Sequence, residues 1–299
     1  MTPNAQAVLE SWSAPIGMDV SLCLVAMLYT NGWFQLHKKI PGLISAWRIA
    51  AFSGGISCLW VAVGSPLDAF DDVSLTVHMV QHLLLMALAP PLILLGAPAL
   101  PLLQGIPQSM ARGVVGPCLR LSLVKRLARF ISNPVVCWLA AALALIGWHI
   151  PAAFELALRS HSWHELEHAS FFGTGLLFWW PVIQPWPSTA RWARWSIPLY
   201  LFCATLPCDA LSGFLTFCDR VVYSSYLSAP RILNNSPLQD QECAAALMWV
   251  CVTIIFLVPA AIITIQILSP ELANAPAQPW PALNTIARQM LDTSKPEVI

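Results

Sequence analysis

Apolar positions along this chain do not alternate. They come in long blocks separated by short polar or basic stretches. Seven runs, roughly 17–36, 45–64, 75–103, 134–153, 164–185, 195–217 and 243–268, reach the length of about 20 apolar residues that a helix needs to cross a bilayer. The pattern predicts an all-α integral membrane protein with seven transmembrane helices. The third run carries Pro90, Pro91 and Pro98; it reads as a spanning helix kinked at or ended by the proline pair, with 92–103 as a separate interfacial piece. Residues 1–16 form a segment before the first helix, 17–268 the membrane domain with a basic loop at 104–133, and the proline-rich stretch 269–299 a loosely ordered tail.

Composition supports the membrane reading. The 299 residues are 57% hydrophobic and only 10% charged, against about 25% charged in a typical soluble domain, and the mean hydropathy is +0.66. Lys and Arg set the orientation. Lys38, Lys39, Arg48, Arg112, Arg120, Lys125, Arg126, Arg129, Arg191, Arg194, Arg288 and Lys295 fall on one side, and only Arg159, Arg220 and Arg231 on the other. Under the positive-inside rule the amino terminus is outside and the carboxyl terminus cytoplasmic. The opening residues, MTPNAQAVLESW, have no basic region before the first apolar run, as expected of an uncleaved first helix. The stretch QSMARGVVGPCLRLSLVKRLARF, 108–130, reads as a basic amphipathic segment lying on the cytoplasmic leaflet or docking a partner. Trp179, Trp180 and Trp186 read as an aromatic belt on the inner side.

Net charge is zero, with no sign of nucleic-acid binding. Nine cysteines are present but no CxxC pair, so thiol metal or redox spacing is missing. Most read as small packing residues; Cys218 and Cys243, both in outer segments, are a possible disulfide.

The histidines change the picture. Of seven, His37 alone falls on the cytoplasmic side. His78, His82, His149, His161, His164 and His168 gather at one depth on the outer side, from three separate segments. His78, His82 and Met86 share a helix face, as do His161, His164 and His168 if their helix begins before Ser162. Ionisable residues inside a membrane are costly and tend to be functional, so these mark a shared metal or proton-active site. Imidazole with thioether favours copper. Asp68, Asp71, Asp72, Glu165, Glu167, Asp240 and Glu242 lie on the same side. They are partners for ring N–H groups or a funnel for cations, with Asp240 and Glu242 alternatively marking the end of the last helix and Asp68 capping a turn. Met248, inside the last span, either extends a metal path or simply packs.

Three other readings stay open. His164-Glu165-Leu166-Glu167-His168 fits H-E-x-x-H, the zinc-protease helix with Glu165 as general base. Histidines on separate helices suit a bis-histidine haem protein, whereas a pair four apart on one helix cannot bind one iron axially. A scaffold would need no metal at all.

The segments SPLD (65–68), HMVQHLLLMALAPPLILLGAP (78–98), WHIPAAFELALRSHSWHELEHASFFGTGLLFWWPVI (148–183), LSGFLTF (211–217) and DQECAAALMW (240–249) resemble, in order and spacing, the CtaG family of bacterial cytochrome c oxidase assembly factors. The resemblance implies a multi-pass protein of the bacterial plasma (inner) membrane. It would help to build haem–copper oxidase of the caa type by supplying copper, and would not itself be an enzyme. Its histidine motifs fall on His78, His82, His149, His164 and His168, its acidic SPLD position on Asp68, and its last motif on Asp240, Gln241, Met248 and Trp249. The chain departs from the family where Val250-Cys251 stands in place of Pro-Gly, and where Tyr223-Ser-Ser-Tyr226 stands in place of Tyr-Pro-x-Tyr. A soluble copper chaperone that shares the CtaG name has a different domain, and its chemistry does not transfer. The resulting expectation is a copper site with His78, His82 and Met86 on one wall, His164 and His168 on another and His149 between. Asp68, Glu165, Glu167, Asp240, His161 and Met248 would flank it. A periplasmic donor would supply the copper and oxidase subunits would accept it within the membrane; zinc and haem are the alternative cofactors.

Overall fold

The computed structural model describes residues 6–7, 9–10, 12–40, 44–185, 193–231 and 235–269, and among them there is helix and no strand. The main helices are α1 (Ile16–Lys39), α2 (Trp47–Val63), α3 (Leu75–Leu95), α4 (Ala99–Gly105), α5 (108–120), α6 (Ser122–Ile131), α7 (Pro134–Trp148), α8 (Pro151–Arg159), α9 (His161–Ile183), α10 (Ser196–Phe217), α11 (Ser225–Ser228) and α12 (Pro237–Leu268). A 3-10 turn, Pro66–Phe70, extends α2. Each predicted apolar run lies on a helix. Among the described residues, four segments are long and apolar enough on their own to cross a membrane: Trp47–Phe70, α3, α10 and α12. The α6–α7 pair, bent by 67°, would make a fifth if counted as one span. Helices α1 and α9, 24 and 23 residues long, are diluted by Asp19, Asn31 and Gln35 in the first and by histidine and glutamate in the second.

The bend before α7 has a visible cause. Asn133 caps α7 by accepting the Val135 N–H at 2.9 Å, and Pro134 occupies the first helical turn. Helix α6 turns away and leaves Leu123, Leu127 and Phe130 bare on one stripe, the geometry of a helix lying along an interface.

The third apolar run breaks later than the proline pair suggests. Pro90 and Pro91 sit inside α3. A wide π-turn at Leu84–Leu88 precedes them and has already shifted the hydrogen-bond register, so the missing proline N–H groups disrupt less. The chain stops instead at Gly96–Ala97. Pro98 disfavours the right-handed helical conformation for the residue before it, and Ala97 takes φ 48°. The Leu95 carbonyl at this end accepts from Arg48 Nη1 at 3.1 Å, and Gly96 O accepts from the Tyr29 hydroxyl at 2.8 Å. The separate piece is α4.

Backbones approach closely where glycine permits, as in membrane bundles generally. A Cβ on Gly32 of α1 would come within 1.8 Å of Pro101 O in α4. One on Gly175 of α9 would meet Pro90 Cγ at 2.8 Å and Met86 O at 2.9 Å, so α9 lies directly against the π-turn of α3. Trp179 does not join an aromatic belt: it is buried with Phe178 and Phe256. Trp180 is half-buried, and Trp186 lies outside the described residues. Cys218 and Cys243 are not bonded; all nine cysteines are free. Of the tail, only Ser269 is described.

Candidate metal centre

The start of α3 is held by another helix. Asp240 of α12 is 3% exposed. Its carboxylate accepts from Leu75 N (2.8 Å), Thr76 N (3.3 Å), Thr76 Oγ1 (2.6 Å) and Ser74 Oγ (3.1 Å). These acceptors satisfy orphan amides of the first turn. Asp240 is therefore a cap supplied across the bundle rather than a group facing the ring of histidines. One turn on, His78 and His82 are turned inward against α9 and buried.

Helix α9 answers with His164, Glu167 and His168, a spacing that puts all three on one face. His149 arrives from the end of α7, its Nδ1 2.7 Å from Leu145 O; that contact requires the proton on Nδ1 and leaves Nε2 with its lone pair. The rings form a continuous group. Centroids of His78 and His82 are 4.3 Å apart, His164 and His168 4.1 Å, His78 and His164 5.6 Å, and His82 and His149 6.2 Å.

Glu167 sits among them with no exposure at all. Its Oε1 is 3.6 Å from His82 Nε2 and 3.9 Å from His78 Nε2. Asp71, in the turn before α3, places Oδ2 3.2 Å from His164 Nε2. Burial, with repulsion from Asp72 and Asp68, pushes the Asp71 carboxyl up to about 8. Both ring nitrogens of His78 and of His82, both oxygens of Glu167, and Nε2 of His149, His164 and His168 are buried without a hydrogen-bond partner in the chain. Buried polar atoms are ordinarily satisfied, so this concentration marks a place built to receive something. Among the described residues two three-ligand groups emerge, Asp71–His78–His164 and His78–His82–Glu167, the ligand atoms of each within 4.8 Å of one another. Bonds of about 2.0–2.1 Å to nitrogen and oxygen put tetrahedral ligand atoms about 3.3 Å apart, so modest ring rotations would close either set.

The remaining expected residues are distributed around this core. Met86 and Met248 line a small chamber of about 30 Å³ beside His82 and His149. Asp68 accepts from Gln81 Nε2 at 3.2 Å and borders a vestibule of about 470 Å³ that also touches His161, His164, Glu165 and His168. Helix α9 begins at His161, yet that ring does not join the others. It faces out, 3.3 Å from Glu165, with the two side chains 86% and 68% exposed. A residue in the first turn with no element above it has nothing to hold it inward.

Several contributors were not singled out by spacing. Phe154 of α8 stacks on Tyr223 (3.9 Å) and meets His78 (5.0 Å). The Tyr223 hydroxyl donates to His149 O at 3.2 Å, and Tyr226 donates to Asp71 O at 2.7 Å. These two tyrosines close the top of the cluster. Glu155 pins their loop by accepting from Ser224 Oγ, Ser225 N and Ser225 Oγ. Gln241 accepts from Val222 N and donates to Leu215 O and Arg220 O. Gln81 ties α3 to α2 through Ala62 O at 2.8 Å. The pairing of an acid with an amide in "DQ" at the start of α12 was the available signal, but pairing partners 19 or more residues away cannot be read from spacing.

The family described as cytochrome c oxidase caa3 assembly factor (Caa3_CtaG) matches residues 27–269. The chain is similar to proteins of Mycobacterium bovis and Mycobacterium tuberculosis, each 24% identical over 254 residues, and to one of Mycobacterium leprae, 22% identical over 251; all three are called uncharacterized. Each alignment takes in 83% of this chain and 38% of the relative, so the chain spans well under half the length of the curated relatives it matches. No solved structure matches. The family match runs from the middle of α1 to the end of α12 and takes in every inward-facing histidine, and on that ground the chain belongs to the cytochrome c oxidase caa3 assembly factor family.

Proposed function

We propose that this protein crosses the bacterial plasma membrane seven times, with its amino terminus outside and its carboxyl terminus in the cytoplasm. It takes copper as cargo into the histidine–carboxylate cluster from the outer side and passes it to a haem–copper oxidase subunit, catalysing no reaction of its own. The observation that carries this reading is the set of buried, unpartnered imidazole nitrogens around Glu167. His78, His82 and Glu167 would hold the ion, with Asp71, His164, His149 and His168 in reach. Imidazole and carboxylate suit several metals; the thioethers of Met86 and Met248 next to His82 and the oxidase-assembly family favour copper. Two features weigh against the zinc-protease reading: neither three-ligand group contains both His164 and His168, and Glu165 is exposed beside His161.

Metal analysis of the purified protein after exposure to copper, zinc or haem tests the reading. Copper retained by the wild type and by Glu165→Gln, and lost in His78→Ala, is the expected result. Preferential zinc with peptide hydrolysis, stoichiometric haem absorbance, or no metal with full tolerance of histidine replacement would each overturn it.

A further inference from the structure

We propose that the cluster comprises two overlapping cation sites that share His78, and that one ion is handed inward from the first to the second. The outer site is Asp71, His78 and His164; the inner is His78, His82 and Glu167. This rests on the reading above that a metal is the cargo.

Each site puts one ligand on a different space, His164 of the outer on the vestibule and His82 of the inner on a deeper chamber, while Asp71 and Glu167 border neither. The 470 Å³ vestibule touches His164 and neither His82 nor Glu167. The chamber beyond touches His82, together with His149, Met86 and Met248, and neither Asp71 nor His164. His78 borders neither space, is fully buried and has both ring nitrogens free of partners. His164 is the most exposed of the five side chains at 17%, against 5% at His82, 3% at Asp71 and none at His78 and Glu167. Of the ligands in the two sites, an ion arriving from the vestibule meets His164 first, and Asp71 Oδ2 lies 3.2 Å from its Nε2. His78 can hold it while Asp71 and His164 let go and His82 and Glu167 close on it. The exchange breaks one pair of metal–ligand bonds and makes another, with no change of oxidation state. It leaves the ion on Glu167 and on His82, which borders the chamber that also holds Met86 and Met248. One shared neutral imidazole does not serve two cations at once, so the sites fill in turn.

The test is titration of the full chain in detergent with aqueous Cu(II), following stoichiometry, the paramagnetic resonance spectrum, and rates of loading and of release to a chelator. Size-exclusion profiles establish that each variant is folded. The wild type should bind one copper. Asp71→Asn and His164→Ala should reach the wild-type spectrum but load at least about tenfold more slowly. Glu167→Gln and His82→Ala should hold copper with a different spectrum and release it at least about tenfold faster, in the range seen when ligand support is removed. Two coppers per chain, or identical spectra and rates for Asp71→Asn and Glu167→Gln, would overturn the two-site inference while leaving the copper reading intact. No copper on the folded wild type would sink both.

Discussion

Replacing Asp240 with alanine should unravel the site without touching a ligand. The side chain accepts four hydrogen bonds, two of them from the backbone amides of Leu75 and Thr76, and it is 3% exposed. Loss of an N-cap costs about 0.5–2 kcal/mol. Leaving a buried amide without an acceptor costs about 1–3 kcal/mol, and the Leu75 amide becomes such a group. Together about 1.5–5 kcal/mol should be lost, or about 3–20 °C at the usual 2–4 °C per kcal/mol for a chain of this order of size. Because His78 lies one turn beyond the cap, copper affinity should fall in the same variant. Asp240→Asn keeps one acceptor oxygen and should lose about half as much. Thermal unfolding in detergent, alongside copper titration, reads both quantities. An Asp240→Ala protein that melts within about 2 °C of wild type and binds copper normally would refute the idea that α12 holds the start of α3.

Copper itself should raise the melting midpoint: ligand at a thousandfold excess over Kd adds about 4.1 kcal/mol, so His78→Ala should show no copper-dependent shift in the same thermal scan. Gly175→Ala should cost about 1–3 kcal/mol by overpacking, since its Cβ would press on Met86 backbone and Pro90 at 2.8–3.0 Å; denaturant unfolding measures it. Partial burial alone would raise the Glu155 carboxyl, but hydrogen bonds from Ser225 and Ser224 hold it below the ordinary glutamate range. Its folded value being the lower one, its contribution is fully present above about pH 4.3 and drains away as pH falls through that folded value. Unfolding measured from pH 6 to 3 should therefore show a shallower acid limb for Glu155→Gln than for wild type.

Much of the site was legible because its members obey helical spacing. His78 with His82, and His164 with His168, each lie one turn apart, and a period of 3.6 carries that information within a single helix. His149 was legible from depth alone. The same logic failed for His161, whose register is right but whose first turn has nothing packed above it. Glu167, read as a flanking acid, is central because its i+3 spacing from His164 turns it inward. Asp71 and Asp240 could not be separated from the other outer acids: one faces His164 and the other caps α3 only through the packing of α3, α9 and α12. Pro90 and Pro91 were the strongest local break signals, yet the π-turn before them absorbs their effect. The break falls at Ala97, where Pro98 acts on its neighbour. Trp179 and the Cys218–Cys243 pair show the same limit, since composition assigns a depth but not which side of a helix meets another.

The wide turn at Leu84–Leu88 stores one residue of slack in the middle of α3. Below it, the helix is clamped where Gly175 meets Pro90. Drawn out into ordinary α-helix, that slack would swivel everything above by about 100° and 1.5 Å, carrying both imidazoles of the α3 wall together. Deleting one residue within 84–88 would remove the slack and leave both halves facing as they do now.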